Sequence, residues 1–328
     1  MAESKNTYRY WKTVQSLRGI AALSVCIFHF SAFWSEDLWV RNLSFYGKYG
    51  VQAFFVISGF ILPYTLYHKK HKINAYPQFI LKRLIRLEPP YIISIITLLA
   101  LRWAAATFSP YSTQVFSIDW ANLAWHIGYL VPFVEGEYWL NPVFWTLAIE
   151  FQFYLFIGLY LVLLVHPNKW LRIASTSLWI SLILIPLSEI WLFHYAPLFS
   201  VGILFFMHHE KLLNQRESIS FLILSVALLF YYHNLATALV ALASLCWIAQ
   251  GKGLGNLGQW LGKVSYSLYL LHIPIGASLV LDFSQNFVSG DVANTFLIIA
   301  ALLVSLFSAW LMYKIIEKPF QTWTKKLN

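Results

Sequence analysis

The chain has 328 residues, of which 59% are hydrophobic and only 11% are charged. This balance excludes an ordinary soluble globular protein, and apolar runs of membrane-spanning length recur along the chain. The sequence therefore predicts an all-α polytopic membrane protein, with residues 1–328 forming a single integral-membrane domain. The formal net charge of +9 does not require a nucleic-acid partner, because the basic residues lie in short segments between the apolar runs.

The apolar runs predict about ten transmembrane helices. Their expected ranges are 14–34, 47–67, 90–109, 141–164, 170–188, 190–207, 218–233, 234–250, 260–281 and 291–314. With the N-terminus in the cytoplasm, 20 of the 23 Lys and Arg residues fall in cytoplasmic segments, as the positive-inside rule requires. Both termini are therefore predicted to be cytoplasmic. We expect no cleaved signal peptide, since the first run contains a histidine and lacks a small-residue cleavage site.

The first predicted span carries two ionisable residues, Arg18 near its start and His29 near its end. At about 100° per residue, their spacing brings them within roughly 20° of one helix face, about 16 Å apart along the axis. Ionisable groups in membrane helices usually face a protein interior or a wet cavity and serve function. The alternative is that Arg18 reaches the lipid headgroups while His29 hydrogen-bonds a neighbouring helix.

The second predicted span contains Gln52, a candidate for lining a polar cavity, and the small residues Ser58 and Gly59. Small residues let another helix backbone approach closely. We therefore expect tight helix packing at Ser58 and Gly59.

A basic cluster of Lys82, Arg83 and Arg86 follows, in a helix-like segment that Pro89 and Pro90 are expected to end. Arg83 and Arg86 are neighbours on one helix face, and two adjacent guanidinium groups suit a phosphate. The alternative is a juxtamembrane anchor on anionic lipid.

The longest outer segment, 109–140, includes an aromatic stretch at 119–133 that predicts an interfacial or re-entrant helix. Beyond it, Glu150 lies well inside the fourth predicted span. A buried carboxylate must find a partner or take up a proton, so Glu150 is a second functional candidate. The alternative is a structural ion pair with a cation such as Arg102.

The ninth predicted span places Ser265, Tyr269 and His272 at positions i, i+4 and i+7 of one polar stripe. Such a stripe is typical of catalytic groups and equally of hydrogen bonds between helices. The sequence leaves both interpretations open.

Six motifs, in this order, make the chain similar to the acyltransferase-3 family of bacterial membrane O-acyltransferases. They are SLRGIAALSVCIFHF, FFVISGFIL, KRLIRLEPPY, FWTLAIEFQFYLF, SYSLYLLHIP and IIEKPF. The usual Trp-Ser-Leu of the family is Trp145, Thr146 and Leu147 here, a change that keeps a hydroxyl group. The motifs cover nearly the whole chain.

The resemblance implies transfer of an acyl group, commonly acetyl from cytoplasmic acetyl-CoA, to a hydroxyl of a sugar in a cell-surface or secreted glycan. It implies a multi-pass protein of the bacterial inner membrane. Some family members carry an additional extracytoplasmic hydrolase-like domain, but this chain ends just after its last predicted span, so we expect the membrane domain alone. The expected partners are acyl-CoA, a carbohydrate acceptor that is a glycan or a lipid-linked sugar, and membrane lipid. No metal and no nucleic acid is expected.

This chemistry gives the candidate residues roles. Histidine titrates near neutral pH, so His29 is the predicted general base. Glu150 is predicted to orient His29 or to stabilise its imidazolium. The groups predicted to bind the CoA phosphates are Arg18, Lys82, Arg83 and Arg86. The groups predicted to bind the acceptor are Gln52, Trp145, Tyr269 and His272. Direct transfer and a covalent acyl-histidine relay both remain open.

Two other classes of function compete with this one. A secondary transporter would use the intramembrane His, Glu and Arg groups as a proton relay. The sequence shows no obvious inverted repeat, however, and Arg83 and Arg86 have no special place in a proton path. A noncatalytic scaffold would not need His29 and Glu150 inside its spans.

Overall fold

The computed structural model describes residues 2–109, 115–282, 284, 287 and 289–327, with side chains from Lys12 onward. Over these residues the chain is helical and contains no β-strand. The α-helices are α1 (Ala2–Phe30), α2 (Trp39–Ser44), α3 (Gly50–His68), α4 (Tyr76–Phe108), α5 (Trp120–Ile127), α6 (Phe144–Leu164), α7 (Lys169–Ser181), α8 (Ala196–His209), α9 (Gln215–Tyr232), α10 (Leu235–Gln250), α11 (Gly255–Leu271), α12 (Asp291–Met312) and α13 (Lys318–Thr324).

Six helical segments of the described chain are long and apolar enough to cross a bilayer. They are Lys12–Phe33, Trp39–His68, Ile73–Phe108, Phe144–Leu164, Gly255–Asp282 and Asp291–Thr324. The protein is therefore a multi-pass membrane protein. Helices also lie at the other four predicted positions, but α7 to α10 are 13 to 18 residues long, and a span needs about 20. The count of ten and the cytoplasmic termini stay predictions.

The predicted helix end at Pro89 and Pro90 is wrong, because α4 contains both prolines. Each proline removes one backbone donor. In a bilayer, however, a helix still pairs most of the remaining backbone groups, and neighbouring side chains supply others. Separately, the hydroxyl of Tyr266 donates a 3.0 Å hydrogen bond to the carbonyl oxygen of Leu87, which attaches α11 to α4 next to the prolines. The basic cluster thus belongs to the same helix as the third span.

The described chain divides into two compact units. The first contains the segments up to Ala21, Tyr49–Leu81 and Ile149–Gly262. The second contains Ala22–Lys48, Lys82–Ala148 and the chain from Lys263 onward.

In the first unit, α3 and α8 pack backbone to backbone at two glycines. A Cβ atom on Gly59 would lie 2.1 Å from the carbonyl oxygen of Phe199, and one on Gly202 would lie 2.1 Å from that of Val56. No other residue type fits this contact without a shift of the helices. The tight packing predicted at Gly59 is therefore present.

In the second unit, α11 continues as a π-helix over His272–Asp282. Pro274 lacks the N–H that would pair with the carbonyl of Leu270 in an α-helix, and the side-chain amide of Asn141 donates to that carbonyl instead, at 3.3 Å. A Cβ atom on Gly276 would lie 2.2 Å from the ring of Phe30. The π-helix therefore packs directly on the end of α1. Such segments are frequent at functional sites.

The segment between α4 and α6 contains a helix as predicted, over the range of α5. Asp119 caps it by accepting a 3.0 Å hydrogen bond from the backbone N–H of Asn122. His126 is fully buried and ties the segment together, since its Nδ1 donates to the carbonyl of Asn122 at 2.8 Å and its Nε2 accepts from the N–H of Leu140 at 3.0 Å.

Candidate active site

A pair of histidines forms at the end of α1. His29 lies in the last turn of α1 and is half-buried, and His272 is fully buried at the start of the π-helix. The Nδ1 of His29 lies 3.1 Å from the Nε2 of His272 and 3.0 Å from the carbonyl oxygen of Val25. The structure thus brings together two candidates that are 243 positions apart in the chain.

The orientation of His272 is fixed by its own helix. Its Nδ1 lies 2.8 Å from the carbonyl oxygen of Tyr269 and 3.2 Å from that of Leu268. Because carbonyl oxygens only accept hydrogen bonds, the Nδ1 of His272 carries a hydrogen. In a neutral imidazole the other nitrogen, Nε2, is then an acceptor, and this nitrogen faces His29.

Tyr269 makes an interhelical hydrogen bond. Its hydroxyl lies 2.8 Å from the Oγ1 of Thr146, and Thr146 donates to the carbonyl of Val143 at 2.9 Å. The hydroxyl of Tyr269 also lies 3.4 Å from the carbonyl oxygen of Val143, so both hydroxyl groups share this acceptor. Both side chains are buried, so this part of the polar stripe serves packing between α11 and α6. The neighbouring candidate Trp145 is half-buried on α6.

The carboxylate of Glu150 belongs to the first unit and is held by two hydroxyl groups. Ser58 donates to it at 3.0 Å, and Tyr154 donates one turn further along α6. In the same unit, the side-chain oxygen of Gln52 is buried without a hydrogen-bond partner among the described residues. Arg18 also lies in this unit and is half-buried.

The basic cluster belongs to the second unit, together with both histidines of the pair. Lys82, Arg83 and Arg86 are half-buried on α4, where Arg83 and Arg86 are neighbours on one face. The bond from Tyr266 to Leu87 attaches α11 to α4 one residue after Arg86. Tyr266 precedes His272 by six residues, which is about 9 Å along a helix.

Sequence reasoning missed Glu88, a further buried carboxylate of the second unit. Both its oxygens are shielded from solvent, and its carboxyl group interacts with the hydroxyl of Tyr129. It was overlooked because a helix end was expected at Pro89, which would have left Glu88 at the membrane surface. Its charge directly before two prolines was the available signal. No group of three His, Cys, Asp or Glu side chains arranged for a metal occurs among the described residues.

These features define a multi-pass helical membrane protein with a histidine pair and a basic cluster in one compact unit. Comparison with known proteins identifies the class more closely. The chain belongs to the acyltransferase-3 family, whose model for the acyltransferase domain matches residues 11–314. The resemblance seen in the sequence motifs is thereby confirmed.

Two relatives show what the chain is similar to. The O-acetyltransferase OatA of Staphylococcus aureus is 26% identical over 365 aligned residues, which cover 95% of this chain and 57% of OatA. A second S. aureus protein, named a putative O-acetyltransferase, is 26% identical over 374 residues, covering 95% of this chain and 58% of that protein. The chain thus spans less than two thirds of the length of these relatives. No solved structure gives a significant match.

Proposed function

We propose that the protein is a membrane O-acyltransferase that moves an acyl group, most often acetyl from cytoplasmic acetyl-CoA, to a hydroxyl of a glycan or lipid-linked sugar. Family membership supports acyl transfer, and the names of the relatives support an O-acetyl product. The observation that carries the proposal is the anchored, half-buried imidazole of His29. We further propose that the protein resides in the bacterial inner membrane.

His29 acts as the general base in the proposed reaction. The acceptor hydroxyl oxygen attacks the thioester carbonyl carbon while His29 takes the hydroxyl proton. The tetrahedral intermediate then collapses, the carbon–sulfur bond breaks, and His29 returns the proton to the sulfur of CoA. General-base catalysis of this kind contributes about 10² to 10⁴-fold in rate. The position of His29 in the last turn of α1 favours the positive charge that it holds transiently.

The donor is proposed to bind through its phosphates to the basic cluster and Arg18. Planar guanidinium groups grip phosphate with two parallel hydrogen bonds, which supports a pair of arginines on one helix face as the contact. The connection of α4 to α11 through Tyr266 supports a donor site and a base on one scaffold.

Glu150 is proposed to stabilise the imidazolium of His29 electrostatically, from a carboxylate whose orientation Ser58 and Tyr154 hold. Gln52 and Trp145 are proposed to bind the acceptor. The remaining acceptor-binding candidates, Tyr269 and His272, already hydrogen-bond inside the protein, so we propose that they shape the site without holding the sugar.

One experiment separates this function from proton-coupled transport. Purified protein in lipid nanodiscs is incubated with acetyl-labelled acetyl-CoA and a glycan extract from the host membrane. An O-acyltransferase releases free CoA in proportion to label appearing in carbohydrate. A transporter gives neither product and instead carries solute in sealed vesicles under a proton gradient. Mass spectrometry of surface glycans from cells with and without the protein then identifies the acceptor.

A further inference from the structure

The hydrogen bond between the two histidines runs from the Nδ1 of His29 to the Nε2 of His272. Its donor and acceptor identify the basic nitrogen of His29. We infer that His272 is a positioning residue that holds the imidazole of His29 in one orientation, with its hydrogen on Nδ1 and its Nε2 as the basic nitrogen. This inference rests on the proposed function of His29 as the base. It gives His272 a role in orienting the base, distinct from holding the acceptor.

The hydrogen positions follow from the acceptors around the two rings. The Nε2 of His272 is an acceptor, because its Nδ1 donates to the carbonyl oxygens of its own helix. The Nδ1 of His29 therefore faces two acceptors, this Nε2 at 3.1 Å and the carbonyl oxygen of Val25 at 3.0 Å. Two acceptors require a donor between them, so the hydrogen of His29 is on Nδ1. The Nε2 of His29 keeps its lone pair, as a base requires.

The two partners of His29 hold it in different ways. The carbonyl of Val25 belongs to α1, so it fixes the ring only relative to the helix that carries it. His272 belongs to the π-helix and ties the ring to a second element. With both bonds in place, rotation of the imidazole about its bond to Cβ breaks a hydrogen bond. Without His272, only the local bond opposes that rotation.

The structure holds His272 rigidly enough for this role. Its side chain is fully buried. The bond from Asn141 to the carbonyl of Leu270 supports the transition to the π-helix just before it. The close contact of Gly276 with Phe30 then fixes the π-helix against the end of α1.

A neutral histidine suits this buried position. In serine-protease-type triads a carboxylate accepts the Nδ1 hydrogen of the catalytic histidine and sets its tautomer. A buried charge carries a large desolvation cost, whereas a neutral imidazole provides an acceptor without one. Together with the carbonyl of Val25, His272 thus orients the ring of His29 by hydrogen bonding alone.

The test reads the tautomer directly. Full-length protein in nanodiscs is labelled with ¹⁵N-histidine, and the ring nitrogens are observed by NMR, which separates nitrogens with and without hydrogen. The His29 signals are assigned by their loss in His29→Gln. In the unsubstituted protein we expect hydrogen on the Nδ1 of His29 and a bare Nε2. Hydrogen on Nε2 would overturn the inference.

Two variants test the role of His272 in turnover. His272→Leu removes the second acceptor, while the carbonyl of Val25 still keeps the hydrogen on Nδ1. We therefore expect altered ring signals of a less fixed His29, kcat lower by about tenfold or more, and an unchanged KM for acetyl-CoA. His272→Gln retains an acceptor oxygen, and we expect partial recovery of the ring signals and of kcat. An unchanged His29 spectrum and kcat in His272→Leu, or equal defects in both variants, would contradict the positioning role.

The outcomes also distinguish this inference from the proposed function. If His272→Leu does not fold, the spectra of the unsubstituted protein and of His272→Gln still decide the tautomer. If His29→Gln transfers acetyl at the normal rate while the spectra show the expected tautomer, the assignment of His29 as base fails and the hydrogen-bond geometry stands.

Discussion

The hydroxyl of Tyr266 donates a 3.0 Å hydrogen bond to the carbonyl oxygen of Leu87. Tyr266 lies on α11, which continues into the π-helix that begins at His272, and Leu87 follows Arg86 on α4. The proposed donor-binding residues and the residue proposed to orient the base are therefore attached to each other. We expect changes in the basic cluster to act on donor binding and changes in the histidine pair to act on turnover.

The basic cluster makes a prediction about donor affinity. Arg86→Ala removes a charge-assisted contact of about 1.5 to 3 kcal/mol, so we expect the KM for acetyl-CoA to rise about tenfold or more while kcat changes little. Arg83→Lys should also raise the KM for acetyl-CoA, but by less than a substitution that removes the charge. Lysine keeps the charge but lacks the planar fork. The exposed Lys72 provides the matched control. Equal effects of Lys72→Ala and Arg86→Ala would indicate a general lipid anchor.

Glu150 is predicted to act through its charge. Glu150→Gln keeps the size of the side chain and an oxygen that accepts from Ser58, but it loses the negative charge. We expect kcat to fall by about 10²-fold with the KM for acetyl-CoA unchanged. Ser58→Ala, which removes one hydrogen bond and leaves the charge, should have a much smaller effect. Steady-state kinetics of both purified variants makes the comparison, and equal losses would assign Glu150 a structural role only.

The contact between α3 and α8 predicts a loss of stability on enlarging a glycine. Gly59→Ala places a methyl group 2.1 Å from the carbonyl oxygen of Phe199, so the helices must move apart at a cost of about 1–3 kcal/mol. We expect a lower thermal unfolding midpoint in detergent. Ser220→Ala, at an exposed position of α9, should unfold like the unsubstituted protein. An unchanged midpoint for Gly59→Ala would show that this contact does not limit stability.

His126 predicts a pH-dependent loosening of the chain from α5 to Leu140. Burial lowers the pKa of His126, and Arg102 lowers it further, while the bond to Asn122 and the carboxylate of Glu137 partly offset this. Because the folded pKa is below the unfolded value, the unfolded segment takes up the proton first, and stability falls as the pH drops below about 6.5. Protonation also removes the acceptor for the N–H of Leu140.

Amide hydrogen exchange in α5, corrected for the intrinsic effect of pH, measures this loosening. Protection should be lower at pH 5.5 than at pH 7.5, and His126→Gln should reduce the difference. His208→Gln, which alters an exposed histidine, should keep the full response. Protection that is equal at the two pH values in the unsubstituted protein would contradict the prediction.

The helical architecture and several candidate residues could be predicted from the sequence, because apolar runs and isolated ionisable residues are local signals. Helices are present at all ten predicted positions. The course of α4 through Pro89 could not be predicted, since local rules favour a break there and only the surrounding structure supports the helix. Glu88 was missed for the same reason.

The contact between the two histidines could not be predicted from the sequence, for a different reason. The sequence singled out His29 and His272 separately, but nothing in their local patterns relates residues 243 positions apart. Their contact depends on the π-helix that begins at His272. It also depends on Gly276, whose missing side chain lets the π-helix pack against the ring of Phe30. Both are consequences of packing between distant segments, and helical periodicity does not describe them.

The central claim is that His29 is the general base of acyl transfer, and one measurement tests it most directly. Single-turnover transfer of labelled acetyl is followed for folded His29→Gln and for the unsubstituted protein in the same nanodiscs. In both cases the enzyme is in saturating excess over acetyl-CoA. The account predicts a rate lower by about 10² to 10⁴-fold in the variant, with binding of nonhydrolysable acetyl-CoA unchanged. Transfer by His29→Gln within a few-fold of the normal rate would contradict it.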